Sequence, residues 1–159
     1  MPHPRLASAA LVIRQEDPAQ PDVVELLRHG EAFSAGLHPP ESNHHLPVNA
    51  LRRTEVRFFV ARDAEGKAVA TGAVVLHDGW AEIKRMWVEE AARGRGIARQ
   101  ILNALMAEAG GAGIEMFRLE TGVANHAALA LYEKAGFKRR QPFADYPPDP
   151  LSVFMERSP

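Results

Sequence analysis

The stretch VEEAARGRGIARQIL, Val88 to Leu102, places Arg93, Arg95 and Arg99 together with two glycines at the start of a predicted helix. Positive charge at a helix start opposes the helix macrodipole, at roughly 0.3–1 kcal/mol per exposed charge. Unpaired N–H groups at such a start attract anions, and glycine lets the backbone approach them closely. The pattern therefore fits an anion-binding loop, and it fits equally a plain strand–helix connector whose arginines face solvent.

Two other interpretations of this loop fit less well. Nucleic-acid binding favours a basic surface with interleaved aromatic residues, whereas Glu89 and Glu90 dilute the charge and the whole chain has a net charge of −1. A dinucleotide-binding turn would begin at Gly94, but the position of its third glycine holds Arg99, which is too large for close helix–strand packing. Three strands with hairpin connections also precede the loop, and that is the wrong context for this motif.

The composition is that of an ordinary globular domain. The 159 residues are enough for a core, and 46% are apolar and 25% charged. The chain has no cysteine, which excludes thiolate nucleophiles and zinc–thiolate sites. It has no run of about 18 apolar residues and no strongly basic balance. We therefore expect one cytoplasmic domain over residues 1–159, with no nucleic-acid or membrane partner.

Hydrophobic periodicity predicts regular elements in the order βααβββαβαβ, with one more short strand near FKRR, residues 137–140. This order is typical of an α/β or α+β sheet with antiparallel hairpins first and one parallel crossover late. The predicted strands cover residues 8–15, 55–63, 68–78, 79–90, 114–121 and 151–157, and the predicted helices cover residues 21–36, 48–53, 96–110 and 125–136.

The loop Arg93–Ala98, hereafter the Arg/Gly loop, fits the pattern Q/R-x-x-G-x-G/A. It follows the strand AEIKRMWV and precedes the helix NHAALALYEKAGF by about thirty residues. Together these motifs resemble the GNAT superfamily of acetyl-CoA-dependent N-acetyltransferases, over about residues 56–156. With PPESNH, RLETG and PDPLSVFMER, the chain resembles small single-domain bacterial members. The resemblance implies a mixed, mostly antiparallel sheet of six to seven strands, with splayed central strands and about four flanking helices.

The resemblance also implies how acetyl-CoA, the co-substrate, is held. Met86, Trp87 and Val88 should pair through their backbone with the pantetheine arm, as an added strand would, and supply an N–H to the oxyanion. Asn125 should contact the coenzyme, and Tyr132 should lie near its sulfur. The pyrophosphate should be bound by the backbone N–H groups of Arg93, Gly94, Arg95, Gly96, Ile97 and Ala98.

Acetyl transfer to an amine needs a base and a proton donor, because an amine with a pKa near 10.4 is mostly protonated at pH 7. Tyr132 suits the donor role, since a phenol stays protonated at that pH; the alternative is a helix tyrosine packed on the core. Glu82 is the candidate base, directly or through water, and Glu120 is a second candidate. The alternative for Glu82 is a carboxylate paired with Lys84 or Arg85, or exposed to solvent.

The long loop GLHPPESNHHLPVN, residues 36–49, is expected to cover the acceptor pocket and set specificity. Asn43, His44 and His45 are the candidate substrate contacts in it, and the alternative is a packed polar loop. Arg85 is a further candidate, which would pair with an acceptor carboxylate or act structurally. Adjacent histidines rarely face one ion and no third ligand is evident, so we expect no metal.

These observations predict an enzyme that transfers acetyl from acetyl-CoA directly to a primary amine of a small molecule. Direct transfer is expected because the chain has no cysteine to carry the acetyl group. Two alternatives remain, namely acetylation of a protein N-terminus or lysine, and acyl-CoA binding without catalysis. A homodimer is also open, because members of the superfamily often dimerise.

Overall fold

A computed structural model describes residues 11–159, so the first part of the predicted strand at residues 8–15 lies outside the described residues. The predicted element order is confirmed there, including the short strand near FKRR. The strands are β1 (Val12–Gln15), β2 (Val56–Arg62), β3 (Ala68–Leu76), β4 (Ala81–Val88), β5 (Phe117–Gly122), β6 (Lys138–Arg140) and β7 (Ser152–Arg157), and the helices are α1 (Pro21–Leu37), α2 (Val48–Leu51), α3 (Ile97–Gly111) and α4 (His126–Lys134).

The boundary between α3 and β5 differs from the sequence-based prediction. The strand expected from residue 114 begins only at Phe117. Ile114 instead donates its backbone N–H to the Ala109 carbonyl at 3.0 Å, which closes the end of α3. Gly113, with φ of 85°, allows the chain to turn there. The apolar side chain of Ile114 therefore belongs to the end of the helix, although its spacing also matches a strand.

All seven described strands form one sheet in the order β1-β2-β3-β4-β5-β7-β6. Neighbouring strands are antiparallel except for β4 and β5, which are parallel and are connected through α3. The expected mixed, mostly antiparallel sheet with four flanking helices is therefore confirmed. None of the described helices is both long and apolar enough to span a membrane.

The two parallel strands separate soon after they begin. Residues Ala81–Ile83 pair with Phe117–Leu119, and the pairing ends there. From Glu120 onward β5 pairs with β7 alone. The remainder of β4, Lys84–Val88, thus has no strand partner on this side within residues 11–159. This confirms the predicted splay of the central strands.

A β-bulge in β4 accompanies the separation. Arg85 and Met86 both lie opposite Gly72, because the β3–β4 register shifts between Thr71 and Ala73. Arg85 has φ of 57°, in the left-handed region, and the Thr71 hydroxyl donates to its carbonyl at 2.9 Å. Because a bulge bends its strand, β4 turns away from its parallel partner at this point.

Apolar side chains cover both faces of the sheet. One face packs against α3, whose predicted stripe of Ile97, Ile101, Leu105 and Ala109 is buried. The other face packs against α1 and α2. The gap between β4 and β5 is therefore enclosed by helices on both sides, which makes it a cleft.

Candidate active site

A cleft of about 440 Å³ opens where β4 and β5 separate. One part of its wall comes from the Arg/Gly loop and the first turns of α3 and α4, and the other part comes from α1, loop 38–46 and β4. Two of the residues predicted to form the site, Arg95 and Glu82, do not line this cleft. The cleft is lined by all the other predicted site residues, namely Asn43, His44, His45, Arg85, Met86, Trp87, Val88, Arg93, Gly94, Gly96, Ile97, Ala98, Glu120, Asn125 and Tyr132.

The Arg/Gly loop has the backbone conformation that its glycines permit. Gly94 and Gly96 have φ of 82° and 74°, in the left-handed region, and a Cβ atom at either would meet no atom within 4 Å. Gly96 is the N-cap of α3 and supplies no side-chain acceptor for the first turn. The N–H groups at this helix start are therefore available to an anion, which fits a coenzyme pyrophosphate.

The arginines of this region take three different positions. The Arg93 guanidinium stacks 4.9 Å from the Trp87 ring and 5.6 Å from the Phe33 ring, and its Nε donates to a carbonyl of β4. Arg99 donates to Asn103 at 3.1 Å, and Arg95 is exposed. Of the three, only Arg93 and Arg99 contribute to the cleft wall, and both are held by protein contacts.

Asn125 and Tyr132 lie on the α4 side of the cleft. Asn125 caps α4 by accepting a hydrogen bond from the Ala128 N–H at 3.3 Å. Tyr132 is buried and belongs to the core cluster, although it also lines the cleft. Burial and, to a smaller extent, the Glu120 charge raise the pKa of Tyr132, which keeps its hydroxyl protonated.

The two candidate carboxylates have different surroundings. Glu82 is buried outside the cleft wall, and its Oε2 accepts from the Tyr146 hydroxyl at 2.5 Å and from Lys84 Nζ at 3.4 Å. Glu120 lines the cleft and accepts from the Ser152 hydroxyl at 2.8 Å. Desolvation raises the pKa of Glu120 above that of an exposed carboxyl group. The carboxylate that reaches the cleft is therefore Glu120.

Arg85 makes structural contacts inside the wall. Its nearly buried guanidinium donates to Glu31 at 2.6 Å and to the Leu46 carbonyl at 3.0 Å, and so joins α1 to loop 38–46. His45 lines the cleft beside it. Desolvation and the Arg85 charge lower the pKa of His45, which favours the neutral imidazole. Within residues 11–159, no three His, Asp or Glu side chains form a group able to hold a metal ion.

Comparison with known proteins identifies the family. A model of the acetyltransferase (GNAT) family matches residues 22–137. The chain belongs to this family. This GNAT acetyltransferase is 42% identical over 149 residues to an IAA acetyltransferase from Azospirillum brasilense, a match that covers 92% of the chain and 97% of the relative. The resemblance seen in the sequence is thereby confirmed, and the protein is an N-acetyltransferase.

Solved structures agree with this GNAT fold. A Klebsiella pneumoniae protein named as an acyl-CoA N-acyltransferase superposes with a TM-score of 0.80 at 35% identity, covering 94% of this chain and 98% of that one. The PaiA N-acetyltransferase from Thermoplasma acidophilum, solved with coenzyme A, shares the fold with a TM-score of 0.73 at 17% identity, over 93% of this chain and 98% of that one.

Several residues near the cleft of this GNAT acetyltransferase escaped the sequence analysis. His38 is buried, lines the cleft, and accepts from the Ala124 N–H through Nε2 at 3.2 Å. Tyr146 and Asp149 contact residues of loop 38–46. The only sequence signal for these two was the Pro-rich segment QPFADYPPDPLS, residues 141–152, because their contacts depend on how distant segments fold together.

Proposed function

We propose that this protein transfers the acetyl group of acetyl-CoA directly to a primary amine of a small molecule. The observation that carries the proposal is one cleft that combines an uncapped glycine helix start, an unpaired strand edge, a carboxylate and a protonated tyrosine. The name of the Azospirillum brasilense relative, an IAA acetyltransferase, supports a small acceptor.

Two backbone features suit the coenzyme. The N–H groups of the Arg/Gly loop would hold the pyrophosphate, with Gly94 and Gly96 allowing close approach. The free edge of β4 at Met86–Val88 would pair with the amides of the pantetheine arm. When bound there, acetyl-CoA supplies an acetyl group activated as a thioester. The coenzyme-bound PaiA relative, which has the same fold, supports this assignment.

Glu120 is positioned to act on the acceptor amine. The amine reaches the cleft mostly as an ammonium ion, and Glu120 offers a negative charge in the wall. Because desolvation raises the pKa of Glu120, its carboxylate is a stronger proton acceptor than an exposed one. Glu82 lies outside the wall, so the role predicted for it would require a water relay or an indirect contact.

Tyr132 is the proposed proton donor to the departing sulfur. Its hydroxyl is protonated, because burial raises its pKa, and its ring lies in the cleft wall. Backbone N–H groups near Met86–Val88 would stabilise the negative charge that develops on the carbonyl oxygen. The base, the proton donor and the donor to the oxyanion are thereby each assigned to one group.

Direct transfer has a simple test. After incubation with radiolabelled acetyl-CoA alone, we expect no label on the protein, because the sequence has no cysteine to carry it. Label retained on the protein would overturn the direct route. A panel of free small amines and amine-bearing peptides then identifies the acceptor class. Turnover confined to the peptides would favour the alternative of protein acetylation.

A further inference from the structure

A cluster of three polar side chains, Glu82, Lys84 and Tyr146, has no part in the chemistry assigned above. Of the three, Lys84 lines the cleft, and the other two lie behind it. The Tyr146 hydroxyl donates to Glu82 at 2.5 Å and accepts from Lys84 Nζ at 2.7 Å. Lys84 Nζ also donates to Glu82 at 3.4 Å and to the His44 carbonyl at 3.2 Å. The ammonium group thus has three acceptors, and one of them belongs to loop 38–46.

A second set of contacts joins the same segments. The Ser42 hydroxyl donates to Asp149 at 2.7 Å. The His44 ring meets the Tyr146 ring edge-on, with 5.2 Å between their centroids. Loop 38–46 therefore packs against the segment between β6 and β7. Only the first of these two segments supplies cleft-lining residues.

The contacts matter because an irregular loop is costly to order. Fixing one residue's backbone opposes folding by roughly 1–2 kcal/mol, and this loop has only one short turn of regular structure, Pro40–Ser42. The charges of Lys84 and Glu82, whose side chains are 12% and 9% exposed, are tolerated in such a place only when they are paired and hydrogen-bonded. Tyr146 completes that pairing, so its hydroxyl links the stability of the cluster to the order of the loop.

We propose that Tyr146 is a positioning residue that, through Lys84 and Glu82, holds residues 42–46 in place as the wall for the acceptor. Without its hydroxyl, Lys84 loses an acceptor and Glu82 loses a donor, so the bond from Lys84 to the His44 carbonyl weakens. Asn43, His44 and His45 would then no longer keep fixed positions in the wall. The inference rests on the proposed function only in assigning this wall to the acceptor.

The test is Tyr146→Phe, which removes the hydroxyl and keeps the ring with its aromatic contacts. We expect hydrogen–deuterium exchange at the hydrogen-bonded amides of Ser42 and Asn43 to accelerate by about tenfold, a local opening rather than a global one. With an amine that the wild type acetylates, KM for the amine should rise about tenfold, the effect of losing one hydrogen bond to a charged group. The kcat and the KM for acetyl-CoA should stay within about twofold, because the contact acts only on the wall.

Two further variants sharpen the test. Trp80→Phe disturbs the aromatic side chains around Tyr146, since Trp80 packs edge-on against Phe143 and Phe143 packs edge-on against Tyr146. It removes no contact to the loop and should leave exchange at residues 42–46 unchanged. Lys84→Met removes the bond to the His44 carbonyl itself and should reproduce the faster exchange even if Tyr146→Phe does not fold.

Wild-type exchange at residues 42–46 in either Tyr146→Phe or Lys84→Met, when that variant folds, would overturn the inference, as would faster exchange spread evenly over the chain. The exchange measurement uses no amine, so it separates the two proposals. Faster local exchange in a protein that acetylates no amine would support the positioning role of Tyr146 and reject the proposed function.

Discussion

The imidazole of His38 lies directly against Gly122, where a Cβ atom would come within 2.0 Å of His38 Cε1. His38 Nε2 also accepts a hydrogen bond from the Ala124 N–H at 3.2 Å. Helix α1 packs on β3 and β4, so this contact fixes the end of α1 to the far side of the β4–β5 gap. The shape of one end of the cleft therefore depends on the contact between the buried His38 ring and Gly122.

Gly122→Ala should destabilise the protein by about 1–3 kcal/mol, because the added methyl group overlaps a buried ring that has little room to move. Gly36→Ala is the matched control, since Gly36 lies in α1 and a methyl group added there would meet no atom within 4 Å. This control should be neutral or stabilising by up to about 1 kcal/mol. Urea unfolding of both variants measures the difference. Equal stabilities would mean that His38 is not held against Gly122.

Gly96→Asp should weaken acetyl-CoA binding by more than about tenfold, because a carboxylate at the start of α3 repels a pyrophosphate. Gly66→Asp is its control: Gly66 has φ of 81° and open space around it, as Gly96 does, but lies in the β2–β3 turn. Both variants should lose similar stability, roughly 1–2 kcal/mol for the left-handed conformation. Calorimetric titration with acetyl-CoA should show weaker binding in Gly96→Asp alone. An equal affinity in both variants would contradict the proposed binding of the pyrophosphate by the Arg/Gly loop.

Tyr132→Phe should lower kcat by about 10²-fold or more, the usual contribution of a positioned proton donor. Acetyl-CoA affinity should stay nearly unchanged, because the ring keeps its place in the core cluster. Steady-state kinetics and coenzyme titration on the same preparation separate the two effects. Wild-type turnover in the variant would remove Tyr132 from the mechanism.

Glu120→Gln should lower kcat/KM by about 10²–10⁴-fold, the range for loss of a general base. Glu82→Gln is the comparison and should cost less, since Glu82 does not line the cleft. Because desolvation raises the pKa of Glu120, the wild-type rate should rise as the pH passes through that raised pKa. This rise should be missing from the pH–rate profile of Glu120→Gln, and a larger loss in Glu82→Gln would return the base role to Glu82.

Glu120 should also reduce the stability of the folded protein at neutral and higher pH. The pKa of Glu120 is higher in the folded protein than in the unfolded chain. Its contribution to the free energy of unfolding is therefore highest at pH values below the unfolded pKa, and it falls as the pH rises through the folded pKa. Glu120→Gln should therefore have a higher Tm than the wild type at about pH 8 and a similar Tm at about pH 4, near the reference carboxyl pKa. Thermal unfolding of both proteins at the two pH values measures the difference in Tm. A Tm of Glu120→Gln below that of the wild type at the higher pH would contradict the prediction.

The amino-acid pattern was sufficient to predict the features that depend on residues close together in the sequence. The continuous apolar run of β3 and the helical stripe of α3 are local, as is the need for glycine at residues 94 and 96. The position of Tyr132 in a helix could be predicted for the same reason, because the helical pattern around it is local. These features predicted the order of elements and the family.

Which carboxylate reaches the cleft depends on the pairing of distant strands. Glu82 and Glu120 lie on neighbouring strands, and either could face the gap until the β4–β5 pairing is known to end at Ile83 and Leu119. Tyr146 contacts Glu82 across 64 residues of sequence, and no local periodicity encodes such a contact. The glycines of the Arg/Gly loop were enough to predict a coenzyme-binding loop, whereas the proposed acceptor wall arises from strand order and loop packing, which depend on the whole fold.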